Sequence, residues 1–528
     1  MTTILRPDVA KTINRLLMGA DAPRPNGDTP AWQIEWYEQI KTSEPAMRTA
    51  TLRQLVNGHE HKAAIYAQLY TADAPERDPE KLPYTDAGNA EMIATIYGER
   101  LRYDHRLGRW LIWDGQRWQA DNDGHLIRLV LDAMRRRQEL ALKIRDVDQK
   151  KRAMSWTLGS ESYSKMVSAI NIAKNLDPLT DNGTGWDSND WLLGVGNGVL
   201  DLRTGTLRNA LPDDRITLNT EIDYNPDATA PRWEQFLSEI FDGDDELVGF
   251  IQRAVGYTLT GDTREQCLFL CHGGGANGKS VLLDILRTLL GDYAKNTPFS
   301  TFEMDRNNAN TNDLAALSRV RLVTAAETNE AQRLNEARVK AITGGDPITA
   351  RFLHKEFFEY LPSFKVWLAM NHKPRILGAD DGIWRRIRLI PFNVKFKGKD
   401  ADKTLPDKLN AELGGILAWA VRGALDWQNG GLREPQVVVA ETVNYRHESN
   451  NVLIYLDEQT IQNPQARIVS STLYKKYRDW CNERGDYPIS IQEFGRRMSD
   501  AGYISQKISG YKRYTGIELP TKDGLFDD

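Results

Sequence analysis

The run Gly273-Gly274-Gly275-Ala276-Asn277-Gly278-Lys279-Ser280 fits the pattern GxxxxGK[ST], and its two flanks narrow what the chain can fold into. Ahead of it lies an apolar run, Cys267-Leu268-Phe269-Leu270-Cys271, and behind it a helical pattern, Val281-Leu282-Leu283-Asp284-Ile285-Leu286. Strand, glycine loop and helix in that order are the context in which the pattern has a mechanism. Backbone N–H groups of such a loop wrap a polyphosphate at a helix N-terminus, where the dipole favours negative charge. Lys279 is placed to reach the terminal phosphates and the Ser280 hydroxyl to hold Mg2+. Residues Gly273 to Ser280 are therefore a candidate site for a nucleoside triphosphate, with ATP and magnesium the expected pair.

A chain of 528 residues is too long for one hydrophobic core and implies several domains. Its net charge of −5 gives no overall attraction to polyanions, so any nucleic-acid contact must come from local patches. Cys267 and Cys271 share the strand before the glycine loop while Cys481 stands apart, which builds neither a disulfide framework nor a zinc cluster. A reducing compartment follows as the expectation. Asp8 interrupts the apolar residues of the first turns, and no run approaches the roughly 18 apolar residues that a membrane-spanning helix needs. A cytoplasmic protein with no membrane partner is expected.

Two Pro-rich polar segments, Asp21 to Gly27 and Asp73 to Pro79, bracket a helical piece with Trp32 and Trp36, and residues 1–84 read as a helical extension. From Gly108 to Trp118 apolar and polar residues alternate around Asp114-Gly115, a hairpin signal. A basic run follows, with Arg135, Arg136, Arg137, Lys143, Arg145, Lys150, Lys151 and Arg152; it reads equally as a solvated helix face or a nucleic-acid contact. A second hairpin is expected at Asn197 to Gly205, then helix from Pro231 to Leu259. Alternating strands and helices from Gln266 to Phe392 predict an α/β domain with a mainly parallel sheet. The expected divisions are an α+β accessory domain over 85–235, a P-loop core over 236–400, a helical connector over 401–450 and a last unit over 451–528.

Beyond the glycine loop, Arg321-Leu322-Val323-Thr324-Ala325-Ala326-Glu327 is a buried-strand pattern ending in a carboxylate. Hydrolysis of a triphosphate needs such a group to orient and deprotonate water beside magnesium. Glu327 stands as base, as metal ligand, or as both, with Glu330 a second candidate. The strand Phe364 to Met370 ends at Asn371, suited to bond the attacking water or the γ-phosphate. Asp381-Gly382-Ile383-Trp384-Arg385-Arg386 clusters guanidiniums at a strand start, where one could serve as an arginine finger. Between these strands, Ile348-Thr349-Ala350-Arg351-Phe352 and Phe357-Phe358-Glu359-Tyr360 predict a hairpin with His354-Lys355 at its charged tip.

The last unit reads as helix, helix and wing. Ser471 is placed to cap a helix with Leu473, Tyr477 and Trp480 on one face, and Ser490-Ile491-Gln492-Glu493 is a capping box opening a second. Ile504 to Ile508 and Tyr511 to Ile517 flank Gly510 as a hairpin. Ten Lys/Arg face six Asp/Glu from Arg467 to Glu518, an excess that includes Arg496, Arg497, Lys507, Lys512 and Arg513. A winged helix that contacts DNA through those residues and one that docks protein are both open.

The order of glycine loop, Glu strand, Thr343-Gly344-Gly345-Asp346 hairpin, Asn strand and Trp384-Arg385-Arg386 resembles the superfamily 3 helicases, in particular their phage, plasmid and poxvirus primase-helicase branch. Thr85-Asp86-Ala87-Gly88-Asn89-Ala90, Trp113-Asp114-Gly115 and Asn197-Gly198-Val199-Leu200-Asp201-Leu202 resemble signatures of the domain that precedes the helicase there. The resemblance implies a replicative, ATP- and magnesium-dependent DNA helicase of a phage or other mobile element, a hexameric ring with an AAA-like core moving 3′-to-5′ on single-stranded DNA. It also implies His354 and Lys355 at a pore hairpin that grips DNA, Asn371 as first sensor, and Arg386 as finger with Arg385 its near-equivalent. Residues 1–84 are too few for a polymerase-type primase domain, so a separate primase or polymerase is an expected partner. An origin-binding initiator and a double-stranded DNA translocase remain the alternatives.

Overall fold

The structure is a computed structural model describing residues 5–17, 24–25, 29–43, 48–57, 78–303, 312–326, 333–353, 356–374, 376, 381–396, 402–484 and 488–520. The chain forms two compact units, one of Met1–Asn189, Asn197–Val199 and Arg208–Leu218, the other of Asp190–Gly196, Leu200–Leu207 and Asn219–Asp528.

In the first unit, helices Pro7–Leu17, Ala31–Thr42 and Arg48–Asn57 bury Val9, Ile13, Tyr37, Ile40 and Val56 together. The residues of the Thr85 signature act as structure. The Thr85 hydroxyl accepts the Gly88 N–H at 3.1 Å and opens helix Asp86–Tyr97. Asn89, fully buried, donates to Ser160 Oγ at 3.0 Å and accepts from Arg137 Nη1 at 2.6 Å, which ties three helices to one amide. Arg137 is thus a buried structural residue, and the basic run does not present one continuous cationic face. The Asp114-Gly115 turn joins strands Arg109–Trp113 and Trp118–Ala120, with the Asp114 carboxylate accepting from Gln116 and Arg117 N–H at 2.7 and 2.8 Å.

The second unit is built on five parallel strands: β1 (Leu268–His272), β2 (Ala294–Asn296), β3 (Leu322–Ala326), β4 (Lys365–Met370) and β5 (Ile387–Pro391), in spatial order β5-β1-β4-β3-β2. Leu268, Phe269, Leu270, Val323, Val366, Trp367 and Leu368 are all buried, because helices cover both faces; hence the strands read as unbroken apolar runs rather than alternating ones. Register aligns the strand ends: His272 lies level with Met370 on one side and Pro391 on the other, and Ala326 level with Ala369. All five C-termini point the same way, toward one edge where loops meet.

At the opposite edge two buried cations close the sheet. Lys365 Nζ donates to the Thr260 and Asp262 carbonyls, and Arg321 donates to Leu259 and Leu192 carbonyls at 2.6 Å. These include the last carbonyls of helix Asp245–Leu259, whose dipole favours positive charge there. Burial pushes the Lys365 ammonium well below the ordinary lysine value. Inside the sheet Trp367 stacks on Phe269 at 4.4 Å between ring centres and donates to Thr258 Oγ1 at 3.1 Å. Trp367→Ala is expected to cost this unit about 3–5 kcal/mol, the range for emptying a buried aromatic site. A denaturant midpoint unchanged from the parent would contradict that packing.

The final unit of helices and strands keeps its own core of Val452, Tyr455, Leu473, Tyr477, Phe494, Met498 and Tyr514. Its three-stranded sheet, in order Ile461–Val469, Tyr511–Glu518, Ser505–Ile508, contains a first strand that was not expected from sequence. Its helix Ser470–Glu483 starts two residues early, with Val469 at the cap position and Ser471 inside the first turn, which corrects the expected Ser471 cap. Ser490 does cap the next helix, accepting the Glu493 N–H at 3.2 Å. Among the described residues no helix is long and apolar enough to cross a membrane.

Candidate nucleotide and nucleic-acid sites

β1 ends at His272, the glycine loop spans Gly273 to Gly278, and the helix that follows begins at Lys279 and ends at Leu290. Glycine is required at both ends of this loop by close approach. A Cβ on Gly273 would lie 2.3 Å from the Phe392 carbonyl oxygen, and one on Gly278 would lie 2.5 Å from Ile240 Cγ2. Ala276 holds a left-handed backbone at φ +51°, strain of about 1–2 kcal/mol for a residue with a Cβ. Its carbonyl accepts the Phe396 N–H at 2.8 Å, which helps fix that conformation.

Lys279 is 5% exposed and bends back over the loop. Its Nζ donates to the Gly273 carbonyl at 2.6 Å and to Asn277 Oδ1 at 3.0 Å, while Asn277 Nδ2 donates to the Phe392 carbonyl at 3.0 Å. Two of the three ammonium protons are thereby committed to positioning, which leaves one for an incoming anion. Burial lowers its pKa from the ordinary lysine value. Gly274, Ala276 and Ser280 are exposed along the open side of the loop, Gly275 partly so. Beside the loop opens a cavity of about 210 Å³, lined in part by Phe236, Val281, Phe396 and Leu405 with Arg232 and Asp402 at its polar border. Apolar walls with a few polar groups suit a flat heterocycle.

Among the described residues no group of three or more His, Cys, Asp or Glu is arranged to hold a metal. One exposed hydroxyl, Ser280, suits magnesium that arrives bridged by phosphates and keeps its waters, not a self-standing metal site. Glu327 and Glu330 lie outside the described residues, as do His354 and Lys355. The strands on either side of the last pair, Ile348–Ala350 and Phe358–Tyr360, do pair antiparallel, and Ile348 and Ala350 are buried in the sheet core. Asn371 follows directly on β4, exposed, one residue beyond the level of His272.

The two arginines after Trp384 differ. Arg386, 8% exposed, donates through Nε to Thr343 Oγ1 at 3.0 Å and through Nη1 to the Gly382 carbonyl. Thr343 lies in the last turn of the helix Glu336–Gly344, so the Thr-Gly-Gly-Asp and Trp-Arg-Arg motifs touch each other within one chain. The Arg386 guanidinium thus serves an internal contact within the chain. Arg385, its neighbour, is exposed.

The adjacent arginines on the second helix of the final unit also differ. Arg497 is 3% exposed, donating to Glu493 at 3.2 Å and to Asn450 at 3.3 Å, so its guanidinium is held in the core of this unit. Arg496 lies on the surface against the same Glu493 at 2.8 Å. Arg513 is half-buried. Lys507 and Lys512 are exposed and directly opposite one another across a two-residue turn with positive φ at Ser509 and Gly510. Like charges facing across a hairpin are destabilising unless an anion lies between or beside them. Reversing both, Lys507→Glu with Lys512→Glu, is expected to weaken DNA binding and reduce the magnitude of its salt slope by about two, near one per lost phosphate contact. Arg497→Ala should instead lower stability by about 1.5–3 kcal/mol, the scale for a hydrogen bond to a charged group. Salt titrations and melting curves on both variants separate the roles; an unchanged slope in the double reversal would contradict the assignment.

Lys395, Phe396 and Arg232 reach the loop only through the fold, so no local pattern marked them for this site.

Residues 90–242 match the family described as D5 N terminal like, and residues 271–386 match a family of unknown function, DUF5906. The chain is 31% identical over 319 residues to "Putative helicase L207/L206" of Acanthamoeba polyphaga mimivirus, an alignment covering 56% of this chain and 33% of that protein. It is 23% identical to "Putative helicase 022R" of Frog virus 3, covering 56% and 39%, and 27% identical to "Putative primase C962R" of African swine fever virus (strain Badajoz 1971 Vero-adapted), covering 56% and 34%. The chain thus spans about a third of the length of these relatives. Among solved structures, the apo C-terminal region of NrS-1 overlays 82% of this chain and all of its own with a TM-score of 0.44 at 13% identity.

Proposed function

We propose that this chain is a D5-like primase-helicase and, within that family, an ATP- and Mg2+-dependent DNA helicase of the superfamily 3 type, a reading supported by its matches to the D5 N terminal like family and to putative viral helicases and primases. One observation carries the reading: the glycine loop leaves the C-terminal end of β1, flanked by β4, which Asn371 follows, and by β5, whose exit closes over the loop. Ligands of open parallel sheets bind outside the carboxyl ends of the strands, where the strand order reverses. In this AAA-like P-loop core the triphosphate lies along Gly273–Ser280 and the nucleoside enters the adjoining cavity. Lys279 neutralises the terminal phosphates, Ser280 holds magnesium through its hydroxyl, and Asn371 orients water. Glu327 is the proposed base or magnesium partner.

Magnesium, when bound, draws charge from the phosphate oxygens; positioning falls to the chain's own residues. Arg385, being exposed, is the finger offered to a neighbouring subunit of a ring, proposed as a hexamer. His354 and Lys355, between the paired strands Ile348–Ala350 and Phe358–Tyr360, grip single-stranded DNA, which the ring follows 3′-to-5′. The final unit is a winged helix that touches DNA by the Lys507/Lys512 wing. Phosphate release measured with and without single-stranded DNA tests the proposal: hydrolysis should require magnesium and rise when DNA is added. Absence of hydrolysis in both conditions, from protein shown to be assembled, would sink it.

A further inference from the structure

The segment leaving β5 is pinned to the glycine loop by three hydrogen bonds. Phe392 N–H donates to the His272 carbonyl at 2.8 Å, the Phe392 carbonyl accepts from Asn277 Nδ2 at 3.0 Å, and Phe396 N–H donates to the Ala276 carbonyl at 2.8 Å. Between these anchors stands Lys395. A Cβ placed on Gly274 would lie 3.2 Å from Lys395 Nζ and 3.3 Å from its Cε, so the ammonium rests over the Gly274 backbone. Lys395 is exposed, and among the described residues it forms no ion pair.

Two ammonium groups therefore converge on the strand end of the loop, Lys279 at the Gly273 carbonyl and Lys395 over Gly274, beside the positive end of a twelve-residue helix. Like charges gathered there repel unless an anion joins them. Which part of the anion arrives at that end follows from Lys279: a loop lysine reaches the terminal phosphates, and its Nζ sits at Gly273.

We propose that Lys395 is a second phosphate-binding cation, supplied by the segment 392–396, which contacts the terminal phosphate and so distinguishes a nucleoside triphosphate from a diphosphate. This rests on the reading of Gly273–Ser280 as the phosphate loop. It assigns to the exit of β5 a second contact at the terminal phosphate beside that of Lys279, whereas the backbone N–H groups of the loop wrap the anion whatever its length.

The test is calorimetric titration of parent, Lys395→Ala, Lys395→Arg and Lys279→Ala proteins with magnesium AMP-PNP and with magnesium ADP. Loss of one charge-assisted bond should weaken AMP-PNP binding to Lys395→Ala about tenfold or more, with ADP changed by no more than about twofold. Lys395→Arg should recover most of the AMP-PNP affinity. Equal weakening of both nucleotides, or unaltered AMP-PNP binding, would overturn the proposal while leaving the loop assignment standing. If the parent binds neither nucleotide, or if Lys279→Ala binds both as the parent does, the loop assignment fails and Lys395 with it. Because Lys395 is exposed, its variants should melt with the parent, and a shared melting temperature identifies an affinity loss as local.

Discussion

Lys279→Ala is expected to lower ATP hydrolysis by about 10²–10³-fold or more, the scale of losing one preorganised charge that stabilises a transition state. The size follows from the geometry. The ammonium is buried, so its field at a bound phosphate is little screened by water, and its two internal hydrogen bonds fix its aim before substrate arrives. Lys395, in contact distance of the same loop but exposed, cannot replace it at the Gly273 end. Removing the ammonium also frees Asn277 Oδ1 and the Gly273 carbonyl, so Lys279→Met, which keeps much of the volume, separates loss of charge from loss of loop shape. Steady-state phosphate release at saturating ATP and magnesium reads the effect. Near-parental turnover in either variant would remove Gly273–Ser280 from the chemistry.

The arginine pair offers the second large effect. Arg385→Ala should leave nucleotide affinity nearly intact and cut hydrolysis by about 10³–10⁵-fold in assembled protein, the range for an arginine finger. Arg386→Ala should act differently. It removes the donor to Thr343 Oγ1 and the Gly382 carbonyl, loosening the contact between the helix Glu336–Gly344 and the turn before β5. Its signature is a lowered melting temperature together with a smaller loss of rate. Mixing Arg385→Ala with Lys279→Ala protein regenerates interfaces that have an intact loop facing an intact finger, so partial activity should return. Failure to recover activity while subunits demonstrably exchange would contradict a role across the interface. A rate loss confined to Arg386→Ala would restore the original assignment of that residue.

The unlike surroundings of neighbouring arginines mark where local pattern stops being informative. The glycine loop was legible because its requirements are local: strand, backbone conformation and helix start all fall within Leu268 to Leu290. The strands Leu322–Ala326 and Lys365–Met370 were legible because a strand covered on both faces is an unbroken apolar run. The orientation of one residue among similar neighbours was not. Arg496 and Arg497 are adjacent, and one step along a helix turns the side chain by about 100°, enough to send one to solvent and the other inward. Arg385 and Arg386 part in the same manner where a short helix meets β5. Strand Ile461–Val469 was missed because Pro464 and a register shift between Gln462 and Arg467 break its alternation. The contact of Asn277 with Phe392 spans 115 residues, and only the closed sheet brings the exit of β5, with Lys395, onto the loop.

The central claim is that a nucleotide cycle at Gly273–Ser280 drives this chain along single-stranded DNA. Strand displacement on three substrates of one duplex sequence, with a 3′ tail, with a 5′ tail and blunt, tests it most directly. The account predicts release of the displaced strand from the 3′-tailed substrate alone, dependent on ATP and magnesium and absent from Lys279→Ala protein. Hydrolysis without displacement on any substrate, or displacement that proceeds equally from the 5′-tailed or blunt duplex, would contradict it.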